Sequence, residues 1–247
     1  MRLDVFFTPN ECKPADTVNR LVVIIDVLRA STTVATALGN GAKTVIPLLG
    51  ADDVIMRSKE FSRSGVKLAG EQKMLPIPGF DLGNSPQSFT TEAVEGKTIL
   101  ITTTNGTRAL LGVQGARDIV IASYVNFTAV LAMMKVAASS NTDIAIICGG
   151  EEGSFTLEDA ACAGRYVKAI PKRASVVLND AASASVLIEK KYGDNIEKVF
   201  KESSHGQALE SAGFGDDLAA AAEVDSYSVV PIYQDRQITK LGPERAR

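Results

Sequence analysis

The sequence predicts an α/β fold: a largely parallel sheet, or sheets, covered by helices, as one unit or as two α/β lobes sharing a cleft. Two observations carry this expectation. Short apolar runs rich in β-branched residues recur along the chain, each followed by a polar loop and an Ala-rich helical pattern. The runs are apolar at successive positions, which suits strands covered on both faces, and their alternation with helices reads as βαβ units.

The first unit is Leu21–Ile25 (LVVII), the loop 26–33 (DVLRASTT) and a helix through about Leu38. The second is Thr98–Thr102 (TILIT), the loop 103–107 (TTNGT) and a helical stretch at 108–111. The third is 143–147 (DIAII), the loop 148–156 (CGGEEGSFT) and a helix from Leu157 to about Ile170. A fourth, weaker unit has a strand at 175–178 (SVVL), then Asn179 and Asp180, and a helix to about Lys190. Further strands are expected at 2–7, 43–47, 67–69 and Asp118–Ala122. The segment 76–86 (PIPGFDLGNSP) carries three prolines and two glycines and reads as a long ordered loop. A low-complexity helix is expected at 217–223 (DLAAAAE), and the tail after Gln237 is expected to fray.

A chain of 247 residues accommodates one large domain or two small lobes. The expected organisation is a single domain over 1–240 and a C-terminal tail at 241–247. A two-lobe arrangement would divide near 125–140. With 45% hydrophobic and 22% charged residues, the composition is that of an ordinary globular protein. The formal net charge is −3, with Lys and Arg dispersed, and Trp is absent. That balance gives no electrostatic footprint for nucleic acid, and the few aromatics weaken a base-stacking reading. Cys12, Cys148 and Cys162 form no CxxC pair, which excludes a disulfide framework, argues against a zinc ribbon and fits a reducing cytoplasm. No signal-peptide pattern opens the chain and no apolar window of about 18 residues occurs, so a cytoplasmic location without a membrane partner is expected. A homodimer is the default expectation for such a protein.

In open α/β sheets ligands bind where strands end and helices begin, and three such loops here are rich in polar groups. Asp26 follows an apolar strand directly. Arg29 offers a planar clamp for phosphate or carboxylate. Ser31, Thr32 and Thr33 open the next helix, where free N–H groups and the macrodipole favour anions, although Ser31 and Thr32 could equally be plain caps. The second loop repeats this grammar, and Asn105-Gly106 before Thr107 and Arg108 supports a tight turn that exposes N–H groups. The third loop is glycine-rich and runs into Glu158 and Asp159. These could complement the helix dipole or offer oxygen ligands to a hard divalent cation. Glu71, Asp81 and Asn84 complete the polar set. The single histidine, His205, sits beside Gly206 in what reads as a loop and could move a proton near neutral pH.

Several familiar phosphate chemistries are excluded. There is no GxxxxGK[ST] loop, Ser154 stands where a Cys148 thiolate cradle would need Arg, and Leu28 stands where a DxD motif would need a second Asp. One histidine rules out HExxH. The polar strand-end loops suit a small anionic, phosphorylated substrate.

Six stretches resemble the 2-phosphosulfolactate phosphatase family: IIDVLRASTT (24–33), GE (70–71), GFDLGNSP (79–86), TTTNGTRAL (102–110), CGGEEGSFTLEDAACAG (148–164) and SHGQALESAGFGDDL (204–218). They follow the family order over nearly the whole chain. The resemblance implies a magnesium-dependent phosphatase that converts (R)-2-phospho-3-sulfolactate to 3-sulfolactate and phosphate, a step towards coenzyme M. It suggests Asp26, Glu71, Glu158 and Asp159 for metal or acid/base work, with Asp26, Glu158 and Asp159 as the Mg²⁺ ligands. It suggests Arg29, Asn84, Asn105 and Thr107 as anion contacts. The chain departs from the family at Leu218–Ala222, which lacks cysteine, so no catalytic thiol is expected there. The nucleophile would be a metal-activated water or Asp26 itself, and His205 or a protonated carboxylate would supply the leaving group's proton. Arg108 or Arg165 would meet the remaining substrate charge. The alternatives are a phosphatase for another small 2-phospho-acid and an anion-binding protein without turnover.

Overall fold

The computed structural model describes residues 1–171 and 176–242, except for the Arg108 side chain. The chain begins with β1 (Arg2–Phe6), β2 (Leu21–Ile25), α1 (Ala30–Gly39), β3 (Thr44–Pro47), α2 (Ala51–Ser58), β4 (Val66–Gln72) and β5 (Leu75–Pro76). It continues through α3 (Thr91–Val94), β6 (Thr98–Thr102), α4 (Gly106–Leu111), β7 (Asp118–Ala122), α5 (Phe127–Ser139) and β8 (Ile144–Cys148). Then come α6 (Leu157–Ala169), β9 (Val177–Leu178), α7 (Asp180–Tyr192), α8 (Ile196–Glu202), α9 (Ser204–Ser211) and α10 (Gly215–Ala222). The hairpin β10 (Pro231–Gln234) and β11 (Gln237–Lys240) follows. Among the described residues no helix is long and apolar enough to cross a membrane.

The strands join in the order β5-β4-β6-β3-β11-β10-β7-β2-β8-β1-β9. Two groups within it are parallel: β4, β6 and β3 on one side, and β7, β2, β8, β1 and β9 on the other. The β10–β11 hairpin joins them through antiparallel contacts of one registered pair each, Ile232 with Val120 and Ile238 with Val45. Three successive antiparallel steps reverse the strand sense between the groups. Residues following the C-terminal ends of β2, β4, β6 and β8 nevertheless line one pocket. The C-terminal ends of both groups thus reach one pocket although the groups run in opposite senses.

Successive side chains of a strand point to opposite faces, and β2 divides accordingly. Leu21, Val23 and Ile25 pack with Met134, Cys162, Tyr166, Phe200 and Leu209 under α5 to α10. Val22 and Ile24 pack with Val34, Leu38 and Leu110 from α1 and α4. Every residue of β2 is buried, as the all-apolar run predicts.

The expected α/β architecture is present, with the strands of the first three units at or within one residue of their predicted limits. Of the strand expected at 175–178, Val177 and Leu178 form β9, and Ser175 lies outside the described residues. One expectation is corrected. The chain after Gln237 does not fray at once, because Gln237–Lys240 forms a strand near the middle of the sheet. Ile238 is buried there and its carbonyl accepts from Thr44 Oγ1 at 3.1 Å.

Candidate active site

Asp26 is the first residue after β2, and it folds back on the start of α1. Its Oδ1 accepts from the Ala30 N–H (3.1 Å), its carbonyl accepts from the Ser31 N–H (2.8 Å), and its N–H donates to Ser31 Oγ (2.9 Å). The anion at the α1 N-terminus is thus the chain's own carboxylate, not an open place for phosphate. Asp26 Oδ2 has no hydrogen-bond partner among the described residues, and Asp26 lines the pocket. Two glycines close against this carboxyl group. A Cβ on Gly106 would lie 2.8 Å from Asp26 Oδ2, and one on Gly149 would lie 3.0 Å from it. Both positions need the bare backbone for this approach.

The Asp159 carboxylate holds two of the loops together. Oδ1 accepts from the Val27 N–H (2.8 Å) and Oδ2 from the Gly150 N–H (3.1 Å). Its neighbour Glu158 turns elsewhere, with Oε1 3.1 Å from His205 Nδ1 and Oε2 buried without a partner among the described residues. Ser203 caps α9 by accepting from the Gly206 N–H at 3.0 Å, which puts His205 in the first helical turn rather than in the expected loop. Glu71 is fully engaged. Oε1 accepts from the N–H and Oγ1 of Thr104, both at 2.8 Å, and Oε2 accepts from the Met74 N–H at 3.0 Å.

A pocket of about 270 Å³ opens among these loops. Asp26, Arg29, Glu71, Asn84, Asn105 and His205 line it, together with Lys73, Glu151 and Glu152. The Asn84 amide makes no hydrogen bond among the described residues, and its Oδ1 is enclosed. A buried amide without a partner is costly unless a ligand supplies one. Arg29 is less free than its sequence position suggests. Nη1 pairs with Asp217 Oδ2 (2.8 Å), Nη2 donates to the Met74 carbonyl (2.7 Å), and the guanidinium lies 4.3 Å from the centre of the Phe214 ring.

Electrostatics separate Asp26 and His205, which line this pocket and feel each other's charge. Burial raises the Asp26 carboxyl to about 6, opposed by the His205 charge and the Ala30 N–H and assisted by Glu71 and Glu158. Burial alone would lower His205, but its bond to Glu158 and the charges of Glu158, Glu151 and Asp26 lift it to about 9. Burial, with the charges of Asp26 and Glu158, pushes Asp159 well above the carboxylate range. Burial, followed by the Asp159 charge, also pushes the Cys148 and Cys162 thiols up, so neither is a thiolate nucleophile.

Several predicted site residues lie outside the pocket or have polar groups already engaged. Thr32 is wholly buried, donating to the Val27 carbonyl (2.7 Å) and bonded to Ser123 Oγ (2.7 Å), so its hydroxyl supports the loop. Ser31 and Thr107 are likewise spent on Asp26 and on Thr103, and Gly106 packs beneath Asp26. Asn105 Oδ1 accepts from the Glu152 N–H at 3.0 Å, joining the second loop to the third. Asp81 pairs with Arg63 and accepts from the Leu68 N–H, outside the pocket. Arg165 pairs with Asp194. The Arg108 side chain lies outside the described residues. As Mg²⁺ ligands Glu158 and Asp159 are poorly disposed, since one sits behind His205 and the other has both oxygens on backbone N–H groups.

Among the described residues no group of three or more His, Cys, Asp or Glu side chains is placed to hold a metal ion. Mg²⁺ commonly needs only one or two carboxylates beside water and substrate phosphate. The pocket fits that requirement, with Glu151 and Glu152 on its lining and without ion pairs among the described residues. The sequence reading missed Lys73, Glu151, Glu152, Ser85 and Asp217. Acidic residues in the glycine loop were the one available signal, and they mark Glu151 and Glu152.

A family model described as 2-phosphosulpholactate phosphatase matches residues 6–236. A probable 2-phosphosulfolactate phosphatase of Caldanaerobacter subterraneus subsp. tengcongensis is 38% identical over 231 residues, covering 94% of this chain and 95% of that one. A protein of the same description from Clostridium acetobutylicum is 34% identical over 239 residues, with 96% and 100% covered. Another from Thermotoga petrophila is 38% identical over 229 residues, with 93% and 94% covered.

Proposed function

The chain belongs to the 2-phosphosulpholactate phosphatase family, and from that premise we propose that it hydrolyses (R)-2-phospho-3-sulfolactate to 3-sulfolactate and phosphate, assisted by Mg²⁺. The observation that carries the reading is the meeting in one pocket of the ion-paired His205 and of Asp26, which has one carboxyl oxygen fixed and the other without a partner among the described residues. A protein that only bound anions would keep carboxylates away from its anion loops. Here Asp26, Glu71, Glu151 and Glu152 line the same pocket as Asn105.

As a phosphoric monoester hydrolase it must place an attacking oxygen in line with the leaving one and neutralise the charge between them. Asp26 Oδ2 attacks phosphorus as the ester P–O bond breaks, giving an acyl phosphate on Asp26. His205, protonated through Glu158, donates its proton to the departing alkoxide. The neutral imidazole then takes a proton from the water that attacks the acyl phosphate, which releases phosphate and restores Asp26. The Asn84 amide and the N–H groups of the Asn105 loop hold the phosphoryl oxygens. Glu151 and Glu152 would hold Mg²⁺, which would offset charge on the phosphoryl oxygens.

The test is phosphate release from the sulfonated ester, from 2-phospholactate and from phosphoglycolate, with Mg²⁺ and after chelation. Selective release from the sulfonated ester that stops on chelation and returns with Mg²⁺ is expected. Equal efficiency on 2-phospholactate would move the substrate assignment. Binding of phosphate without release from any ester would make this an anion-binding protein.

A further inference from the structure

The turn between β4 and β5 holds only two residues, since Gln72 pairs with Leu75. Lys73 and Met74 occupy it with φ values of 50° and 69°. Two-residue turns with both central residues at positive φ favour Asn-Gly, because other L side chains are strained there. Strain of this kind persists where the surroundings hold it, and it concentrates at functional sites. The surroundings do hold this turn. The Met74 N–H donates to Glu71 Oε2 and the Met74 carbonyl accepts from Arg29 Nη2. Glu71 is itself fastened to Thr104. The backbone beneath Lys73 is thereby tied to the loops that follow both β2 and β6.

Lys73 is exposed at the pocket that Asp26 and His205 line. The charge balance there is unfavourable to an acidic substrate, with Asp26, Glu71, Glu151 and Glu152 all on the lining. Among the described lining cations, Arg29 is paired with Asp217 and His205 with Glu158, while Lys73 has no ion pair. A 2-phospho-acid carries charge beyond its phosphoryl group, and that charge needs a cation that phosphate binding does not use. We infer that Lys73 holds the substrate's non-reacting acid group at the pocket mouth and so selects phosphorylated acids over other phosphomonoesters. The inference rests on the phosphatase reading above. An ammonium on a flexible stem and a rigid base suits this task, since it serves carboxylate or sulfonate as a point charge.

The experiment compares Lys73→Met, Lys73→Gly and Lys73→Arg with the wild type, using 3-sulfolactate and inorganic phosphate as separate calorimetric probes and the sulfonated ester as substrate. Lys73→Met and Lys73→Gly are expected to weaken 3-sulfolactate binding about tenfold or more while phosphate binding stays within about twofold. KM for the ester should rise at least about tenfold against a change in kcat below about threefold. Lys73→Arg should recover most of the loss. Glycine relieves the turn strain, so equal losses in the Met and Gly variants assign the effect to the ammonium. Equal weakening of both probes, a fall in kcat at constant KM, or wild-type 3-sulfolactate affinity in Lys73→Gly would overturn the inference. A wild-type protein that binds phosphate yet turns over no ester would overturn the phosphatase reading and this inference with it.

Discussion

Arg29 and Asp217 lie 188 positions apart in the sequence and meet as a buried ion pair, with Arg29 Nη1 2.8 Å from Asp217 Oδ2. The second Asp217 oxygen accepts from Ser85 Oγ at 2.5 Å. One carboxylate on α10 thus binds the loop after β2 to the proline-rich segment before α3, and the stacked Phe214 ring shields the guanidinium. Removing one partner of a buried pair leaves an uncompensated charge, which costs about 3–5 kcal/mol. Asp217→Ala should lose stability of that order in urea unfolding, whereas Arg29→Met with Asp217→Leu should recover much of it. A loss below about 1 kcal/mol for Asp217→Ala would mean that the pair does not hold these segments.

Asp26→Asn is expected to remove activity and add stability. The folded chain raises Asp26 from 3.8 to about 6 and so favours its protonated form. The stability lost by ionising it is absent below about pH 4, grows as pH rises, and is fully incurred above about pH 6. Asparagine keeps the acceptor for the Ala30 N–H and carries no charge. In thermal or urea unfolding above pH 7 the variant should exceed the wild type by up to about 3 kcal/mol, and at pH 4 the two should converge. Equal stability at both pH values would contradict the burial argument.

The pH profile of kcat/KM, which reports the free enzyme, should be bell-shaped, because catalysis needs Asp26 ionised and His205 protonated. Activity should fall below about pH 6 and again above about pH 9. Because the two groups interact, the limbs belong to the pair rather than to either residue. His205→Gln should lower kcat about 10²- to 10⁴-fold and erase the alkaline limb. An unchanged alkaline limb in that variant would take the proton-donor role away from His205.

Gly149→Ala places a methyl group against the Asp26 carboxyl, 3.0 Å from Oδ2 and 3.0 Å from Cβ. A shift of the attacking group by about 1 Å can cost about 10²-fold in rate, while overpacking of this size costs about 1–3 kcal/mol of stability. Steady-state kinetics on a variant shown to be folded at the assay temperature measures the first effect apart from the second. Wild-type kcat would show that the glycine is not needed for the approach.

The parallel architecture was legible because its signal is local. An apolar run such as LVVII must be covered on both faces, and the polar loop after it can only sit at the sheet's C-terminal edge. Asp26 was legible for the same reason, as a carboxylate directly after such a run. The β10–β11 hairpin was not legible. Its sequence is short and half polar, and it becomes central only because two parallel groups meet across it through Ile232 and Ile238.

The sequence by itself determined the α/β class, the three polar strand-end loops and the choice of Asp26 and His205 as candidates for chemistry. Tertiary structure decided what each polar group is paired with, since hydrogen bonds and ion pairs act across space without regard to separation along the chain. It gave Glu158 to His205 across 47 positions, Asp159 to the Val27 and Gly150 N–H groups, and Arg29 to Asp217. Among the described residues it also left Asp26 Oδ2 and the Asn84 amide without partners at one pocket. Helical periodicity could place Glu158 and Asp159 about 100° apart, but only the packed neighbours decide which groups their oxygens meet.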